Sequence, residues 1–199
     1  MKSVALQSGD KNEFSANFLD LALLHNAIMS NRSKVVVEFG VGFSTIVMAD
    51  ALMRVGGKLF TIDASEKWLE NTRAKIIGDT VEFIHSPVLT YGGHHRFAQL
   101  PDVVPDAIYL DAPSKSDIPA WSGPQVSSDI LYYLPKMKIG SYFVIDGRST
   151  NDSYLKAQCG KYCKWERDER RRRTHAVLTN EIPSDIAAQW NDIGSPLAI

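Results

Sequence analysis

The chain has 199 residues, of which 44% are hydrophobic and 23% are charged, and its 22 basic and 23 acidic side chains give a formal net charge of −1. This length and composition are typical of one soluble globular domain, so we expect a single domain over residues 1–199. The near-neutral charge argues against a protein that binds nucleic acid or a membrane with its whole surface.

The N-terminal sequence and the cysteine content bear on location. The sequence from Met1 to Phe14 becomes polar after three apolar residues, which is not the pattern of a signal peptide. The apolar runs are also far shorter than the ~20 residues that a membrane span needs. Cys159 and Cys163 are too few for a disulfide framework or a zinc site. We therefore predict a cytoplasmic protein with no membrane association.

Apolar spacing predicts a helix followed by strands that alternate with helices. A helix is expected over about residues 13–30, where apolar side chains recur at helical spacing. Five buried strands are expected at residues 34–39, 59–62, 81–84, 107–110 and 142–145. Helices are expected between them, the first capped by Ser44 or Thr45, and the others near residues 65–76 and 126–134.

The last third of the chain has a different pattern. Residues 162–169 and 174–180 are two extended stretches joined by a short polar turn, which predicts an antiparallel hairpin at one edge of the sheet. The expected fold class is α/β, a Rossmann-like doubly wound sheet of seven strands that is mostly parallel with an antiparallel C-terminal hairpin. Residues 1–32 would form an N-terminal helical cap, residues 33–180 the core and residues 181–199 a C-terminal tail.

Polar or glycine residues stand where each predicted parallel strand ends. They are Gly40 and Gly42, Asp63, His85 and Ser86, Asp111, and Asp146. Because ligands of open parallel sheets bind beyond the carboxyl ends of the strands, these residues are expected to surround a ligand site.

The first strand is followed by a glycine-rich turn over residues 38–45, EFGVGFST, which allows a close approach of the backbone to a ligand. Thr45 stands where a dinucleotide-binding fingerprint has its third glycine, and the chain has no phosphate-binding loop of the G-x-x-x-x-G-K-[ST] type. Asp63 can accept hydrogen bonds from both hydroxyls of a ribose. An alternative role for Asp63 is to cap the helix that follows.

Four segments resemble the successive motifs of class I S-adenosylmethionine-dependent methyltransferases. They are residues 38–42, 60–63, 106–111 and 139–146. Over about residues 33–180 the chain looks most similar to the small macrocin O-methyltransferase-like group. The resemblance implies a class I methyltransferase fold and methyl transfer from S-adenosylmethionine to a small-molecule hydroxyl.

The same resemblance suggests which residues contact the cofactor. Gly40 and Gly42 would face its methionine part, Glu38 its amino group indirectly, and Asp63 its ribose. His85 and Ser86 would lie near the adenine. Ser44 and Asp111 complete the set of candidate cofactor contacts.

Asp111 and Asp146 end strands that are neighbours in that fold. Since adjacent strands lie ~4.8 Å apart, the two carboxylates could share a hard cation such as Mg²⁺, which would bind and activate the acceptor hydroxyl. Related metal-dependent enzymes have a further carboxylate or an Asn after the second acid, whereas this chain has Gly147 and Arg148. Without a metal, Asp111 or a histidine such as His94 would be the general base, and Arg148 would anchor an anionic substrate.

Two further segments leave alternatives open. Residues 90–96, TYGGHHR, are either a flexible glycine turn with surface histidines or a source of a catalytic base. Residues 166–173, with five arginines, are either a solvated hairpin or a patch that binds phosphate. The other functions considered are a cofactor-binding protein without turnover and a nucleic-acid methyltransferase. A homodimer through the N-terminal helix or the edge hairpin is also considered.

Overall fold

The computed structural model describes residues 18–118, 123, 126–170 and 172–192. The elements in chain order are α1 (Phe18–Asn31), β1 (Val35–Phe39), α2 (Phe43–Val55), β2 (Lys58–Asp63), α3 (Glu66–Arg73), β3 (Val81–His85), β4 (Val88–Tyr91), β5 (His94–Phe97), β6 (Ala107–Leu110), α4 (Asp129–Tyr133), β7 (Tyr142–Asp146), α5 (Ser149–Cys159), β8 (Cys163–Asp168), β9 (Arg173–Leu178) and α6 (Ser184–Asp192). No helix in these ranges is both long and apolar enough to cross a bilayer.

Seven strands form one sheet in the order β3-β2-β1-β6-β7-β9-β8. The first five of that order are parallel, and β9 runs antiparallel to both β7 and β8. The predicted seven-stranded sheet with an antiparallel C-terminal hairpin is therefore confirmed. The strand order reverses between β1 and β6, which is where a doubly wound sheet opens a crevice for a ligand.

Both faces of the sheet are covered, which explains why its central strands are mostly apolar. Val36 of β1 packs with Leu24 of α1 and Met48 of α2 on one face. Val37 and Phe39 point to the other face, where α4, α5, α6 and the β4–β5 hairpin close a second core. The helices thus hold the strand ends at fixed positions, and the loops at the carboxyl edge carry the candidate site.

Three elements were not expected from the sequence. Residues 90–96 lie within the β4–β5 hairpin rather than in a flexible turn, with Gly92 and Gly93 at positive φ between the two strands. Helix α5 follows β7 directly. The expected tail contains α6, whose Trp190 is 3% exposed and packs in the core. The first helix was predicted over about residues 13–30, and residues 13–17 lie outside the described part of the chain.

Candidate active site at the carboxyl edge of the sheet

The glycine turn after β1 passes close to the end of β6 on one side and borders open space on the other. Gly40 has φ +98°, and a Cβ there would lie 3.2 Å from the Cβ of Ala112 and from the backbone carbon of Asp111. The turn can therefore pass the end of β6 only with glycine at this position. At Gly42 no atom lies within 4 Å of a Cβ position, so the far side of the turn has room for a ligand.

Glu38 lies beneath this turn and is fully buried. Its carboxylate accepts hydrogen bonds from the hydroxyls of Ser44 (2.6 Å), Thr45 (2.7 Å) and Thr61 (2.7 Å). Burial raises the pKa of Glu38 to about 7, against the opposing effect of these three donors. Ser44 and Thr45 were expected as helix caps, but the N-cap residue of α2 is Gly42. The Thr45 hydroxyl accepts from the backbone N–H of Gly42 at 2.9 Å and donates to Glu38, whereas the Ser44 hydroxyl donates to Glu38.

Asp63, at the end of β2, is 9% exposed and holds the turn from the other side. Its Oδ2 accepts from the backbone N–H of Val41 (2.8 Å) and its Oδ1 from that of Ser65 (2.7 Å). Each carboxylate oxygen can accept a second hydrogen bond, so Asp63 retains capacity for ligand hydroxyls. Burial raises its pKa. The N-cap of α3 is Ser65, which accepts from the N–H of Trp68.

His85 and Ser86 follow at the end of β3. His85 pairs with Asp63 in the sheet register, is exposed, and donates from Nε2 to the carbonyl of Ala64 at 3.0 Å. The Ser86 hydroxyl is buried and accepts from the N–H of Gln99 at 2.8 Å. His85 therefore faces outward at this edge, while Ser86 is engaged in holding the loop before β6.

Asp146, at the end of β7, is held by two donors. Its Oδ1 accepts from Nε of Arg173 at 2.9 Å, and its Oδ2 accepts from the hydroxyl of Tyr109 at 3.2 Å. Arg173 also donates to the Tyr109 hydroxyl (3.3 Å) and lies 3.8 Å from the carboxylate of Asp20 on α1. Asp20 and Arg173 are 6% and 8% exposed, so the centre of this network is buried, and it joins the four elements α1, β6, β7 and β9.

Asp111 follows β6 and has the most open carboxylate of this edge, with 47% of its side chain exposed. The surrounding protein raises the pKa of Asp111 to about 7, chiefly through desolvation and then through the negative charge of Asp146. Arg148 donates to the backbone carbonyls of Asp111 and Pro113 and lies 3.7 Å from Oδ1 of Asp111. Its guanidinium therefore holds the loop after β6.

The sequence was also compared with known families. A family model described as a methyltransferase domain matches residues 37–147, which is more than half of the chain and spans the glycine turn, β2 and the ends of β6 and β7. The chain belongs to this methyltransferase family. Among curated proteins no match was found.

Solved structures share the fold of this methyltransferase. The O-methyltransferase TomG from Streptomyces achromogenes, involved in tomaymycin synthesis and solved with SAM, is 17% identical with a TM-score of 0.56, and the match covers 83% of this chain and 82% of that one. An O-methyltransferase from Bacillus cereus in complex with SAH is 17% identical with a TM-score of 0.58 over 83% of each chain. The SAH-bound methyltransferase PaMTH1 from Podospora anserina is 13% identical with a TM-score of 0.57, covering 84% and 80%. The predicted class I S-adenosylmethionine-dependent methyltransferase is confirmed at the level of family and fold.

The residues of this methyltransferase fit a nucleoside cofactor better than a divalent cation. Open space over Gly42 and the remaining acceptor capacity of Asp63 suit such a cofactor. The expected Mg²⁺ site fits poorly, because the guanidinium of Arg173 already pairs with the carboxylate of Asp146 and the guanidinium of Arg148 lies 3.7 Å from Oδ1 of Asp111, so that a divalent cation between the two acids would meet two positive charges. The described ranges contain no group of three or more His, Cys, Asp or Glu side chains that could hold a metal ion.

The two adjacent histidines of the methyltransferase have different environments. His94 stacks on Tyr154 of α5 with ring centroids 5.9 Å apart. His95 is fully buried, and its Nδ1 lies 3.1 Å from the hydroxyl of Thr90. The interpretation of both as surface histidines is therefore wrong for His95.

Three residues of the Asp146 network were not predicted as site residues from the sequence. They are Tyr109, Asp20 and Arg173. Arg173 is buried, whereas Arg170 and Arg172 of the same arginine run are exposed. Arg171 lies outside the described residues. Arg173 pairs directly with Asp146 across β7 and β9, and this pairing depends on the order of the strands in the sheet, which the sequence pattern does not give.

Proposed function

We propose that this methyltransferase transfers a methyl group from S-adenosylmethionine to an oxygen of a small-molecule acceptor, with Asp111 as the general base. The observation that carries the proposal is the half-exposed Asp111 carboxylate, with a pKa of about 7, beside the open glycine turn. Two solved proteins of this fold, from Streptomyces achromogenes and Bacillus cereus, are described as O-methyltransferases, which supports oxygen as the acceptor atom.

The cofactor would lie along the carboxyl ends of β1, β2 and β3. Gly40 and Gly42 would leave room for its methionine part, and Glu38 would keep their turn in shape through Ser44 and the two threonines. Asp63 would accept hydrogen bonds from the ribose, and His85 and Ser86 would flank the adenine. When bound, S-adenosylmethionine supplies an electrophilic methyl group on its sulfonium.

The protein's chemical task is then to orient the acceptor and remove one proton. Asp111 is suited to this task because a base with a pKa near 7 is largely ionised at slightly alkaline pH and still accepts a proton readily. Arg148 would position the Asp111 backbone through its carbonyl contacts, and Asp146 would stabilise the protonated form of Asp111 by its charge. His94 is the alternative base.

The macrocin-like subgroup and the cytoplasmic location stay predictions from the sequence, and a homodimer through the N-terminal helix or the edge hairpin stays an alternative that a measurement of oligomeric state would test.

Calorimetric titration with S-adenosylhomocysteine tests the cofactor part of the proposal. We expect micromolar binding, and Asp111→Asn should bind with nearly the same affinity because Asp111 acts on the acceptor. A folded protein that does not bind S-adenosylhomocysteine would remove the cofactor assignment.

Methyl transfer from radiolabelled S-adenosylmethionine to a panel of hydroxyl compounds tests the base. Asp111→Asn should lower the rate by roughly 100- to 10,000-fold, the usual contribution of a general base. The rate of the unmodified protein should rise with pH around 7, as Asp111 loses its proton. If His94→Gln removes activity and Asp111→Asn retains it, the base is His94. Cofactor binding without product from any acceptor would favour a protein that binds the cofactor without turnover.

A further inference from the structure

The acceptor side of the site contains a buried cation of its own. Arg173 extends from β9, opposite Asp146 in the register, and its Nε lies 2.9 Å from Oδ1 of Asp146 and 3.8 Å from Oδ2 of Asp20. The side chains of Arg173 and Asp20 are each only 9% exposed. Buried carboxylates need a compensating positive charge, and here a guanidinium supplies it.

The network is also complete in its hydrogen bonds around Asp146. Arg173 donates from Nη2 to the Tyr109 hydroxyl, which donates in turn to Oδ2 of Asp146. Both oxygens of Asp146 therefore have a donor. The planar guanidinium can contact a carboxylate and a second oxygen in fixed directions, so it orients Asp146 and Tyr109 together.

We propose that Arg173 takes the place of a divalent cation at the acceptor side and makes this methyltransferase independent of metal. Arg173 is in this view a positioning residue, which holds Asp146 at the end of β7 and connects it to α1 through Asp20. The assignment of Arg173 to the acceptor side rests on the proposed function. The exclusion of a metal ion depends only on the charges and positions of these side chains.

The reason for exclusion is electrostatic and steric. A cation shared by Asp111 and Asp146 would lie close to the guanidinium that pairs with Asp146 and beside a second guanidinium, that of Arg148. If the charge of Arg173 is removed, the carboxylate of Asp146 loses its cationic partner and joins the half-exposed carboxylate of Asp111 as a candidate ligand. These are the oxygen ligands that Mg²⁺ and Mn²⁺ prefer.

Titration with Mn²⁺, followed by the electron paramagnetic resonance signal of the free ion, tests this proposal without cofactor or acceptor. The unmodified protein and Arg170→Met, an exposed control in the turn before β9, should leave Mn²⁺ free. Arg173→Met should bind Mn²⁺ at least about tenfold more tightly, because the carboxylate of Asp146 becomes available beside that of Asp111. Arg173→Lys should restore the exclusion of Mn²⁺, since it retains the charge.

Micromolar binding of Mn²⁺ by the unmodified protein would overturn the proposal, and so would an Arg173→Met variant that binds Mn²⁺ no better than the control. If Arg173→Met does not fold, the unmodified protein and Arg173→Lys decide the matter, because binding of Mn²⁺ by either contradicts the role and its absence from both supports it. Failure of S-adenosylhomocysteine to bind would affect the proposed function alone and leave this result unchanged.

Discussion

At the scale of single residues, the carboxylates at the strand ends differ in what already binds them. Glu38 accepts from three hydroxyls and Asp63 from two backbone amides, while Asp146 accepts from Arg173 and Tyr109. Asp111 is the most open of the four, with 47% of its side chain exposed. The four carboxylates therefore differ in how many donors already hold them, which is why we assign the proposed base to Asp111 and the proposed ribose contact to Asp63.

The proposed role of Asp63 gives a prediction for cofactor binding. Asp63→Asn keeps the size of the side chain but removes a charged acceptor, so the affinity for S-adenosylhomocysteine should fall by roughly 10- to 100-fold. Calorimetry measures this loss, with Asp79→Asn, an exposed acid in the turn before β3, as the control. Unchanged affinity in Asp63→Asn would exclude Asp63 from the cofactor site.

At the scale of elements, a strand or helix is predicted well when its own residues show a clear apolar pattern. The buried strands are continuous β-branched or aromatic runs, and acidic residues at their ends mark the edge where Asp63, Asp111 and Asp146 lie. Helix α5 has a weak signal because only Asn151, Leu155 and Cys159 of its residues are buried.

Partnerships between distant elements are harder to predict. Arg173 lies within a run of arginines that is typical of an exposed turn, and its partners Tyr109 and Asp20 come from β6 and α1. The pairing depends on the order of the strands across the sheet, which local spacing does not encode. The sequence therefore predicts the location of the site, whereas the network within it requires the fold.

Helix α6 gives a prediction at the same scale. Trp190 is 3% exposed and packs edge-on against Tyr162 with ring centroids 6.2 Å apart. Trp190→Ala should lower the free energy of unfolding by about 3 to 5 kcal/mol, because it leaves a large cavity in the core. Trp68→Ala is the matched control, since Trp68 is 55% exposed on α3. Equal losses in a chemical denaturation experiment would contradict the docking of α6 on the core.

At the scale of the whole molecule, the fold buries two acids whose pKa values are raised. Burial is the largest cause for Glu38, with a pKa of about 7, and for Asp129, with a pKa of about 6. Asp129 is fully buried between the hydroxyl of Ser127 (2.7 Å) and the N–H of Phe97 (3.0 Å). Ionisation of these buried acids near neutral pH places negative charge in a poorly solvated environment, which destabilises the folded state.

The raised pKa of Glu38 should make the contribution of this residue to stability fall as the pH rises. Between the ordinary pKa of 4.5 and about 7, folded Glu38 retains a proton that the unfolded chain has already lost. The folded state therefore binds more protons in this window, and its free energy of unfolding decreases with increasing pH. For Glu38 the full difference corresponds to about 3 kcal/mol. Glu38→Gln removes this titration, so its curve of unfolding free energy against pH should be flatter than that of the unmodified protein by up to that amount.

Chemical denaturation at a series of pH values from 4.5 to 8 measures both curves. Glu70→Gln, which changes an exposed acid on α3, should give a curve parallel to that of the unmodified protein. The curves of Glu38→Gln and the unmodified protein should separate mainly between pH 5 and 7, because the folded and unfolded states differ in protonation at Glu38 in that range. Parallel curves for Glu38→Gln and the unmodified protein would mean that Glu38 is already ionised in the folded state. In that case the three hydroxyls of Ser44, Thr45 and Thr61 would compensate its burial in full.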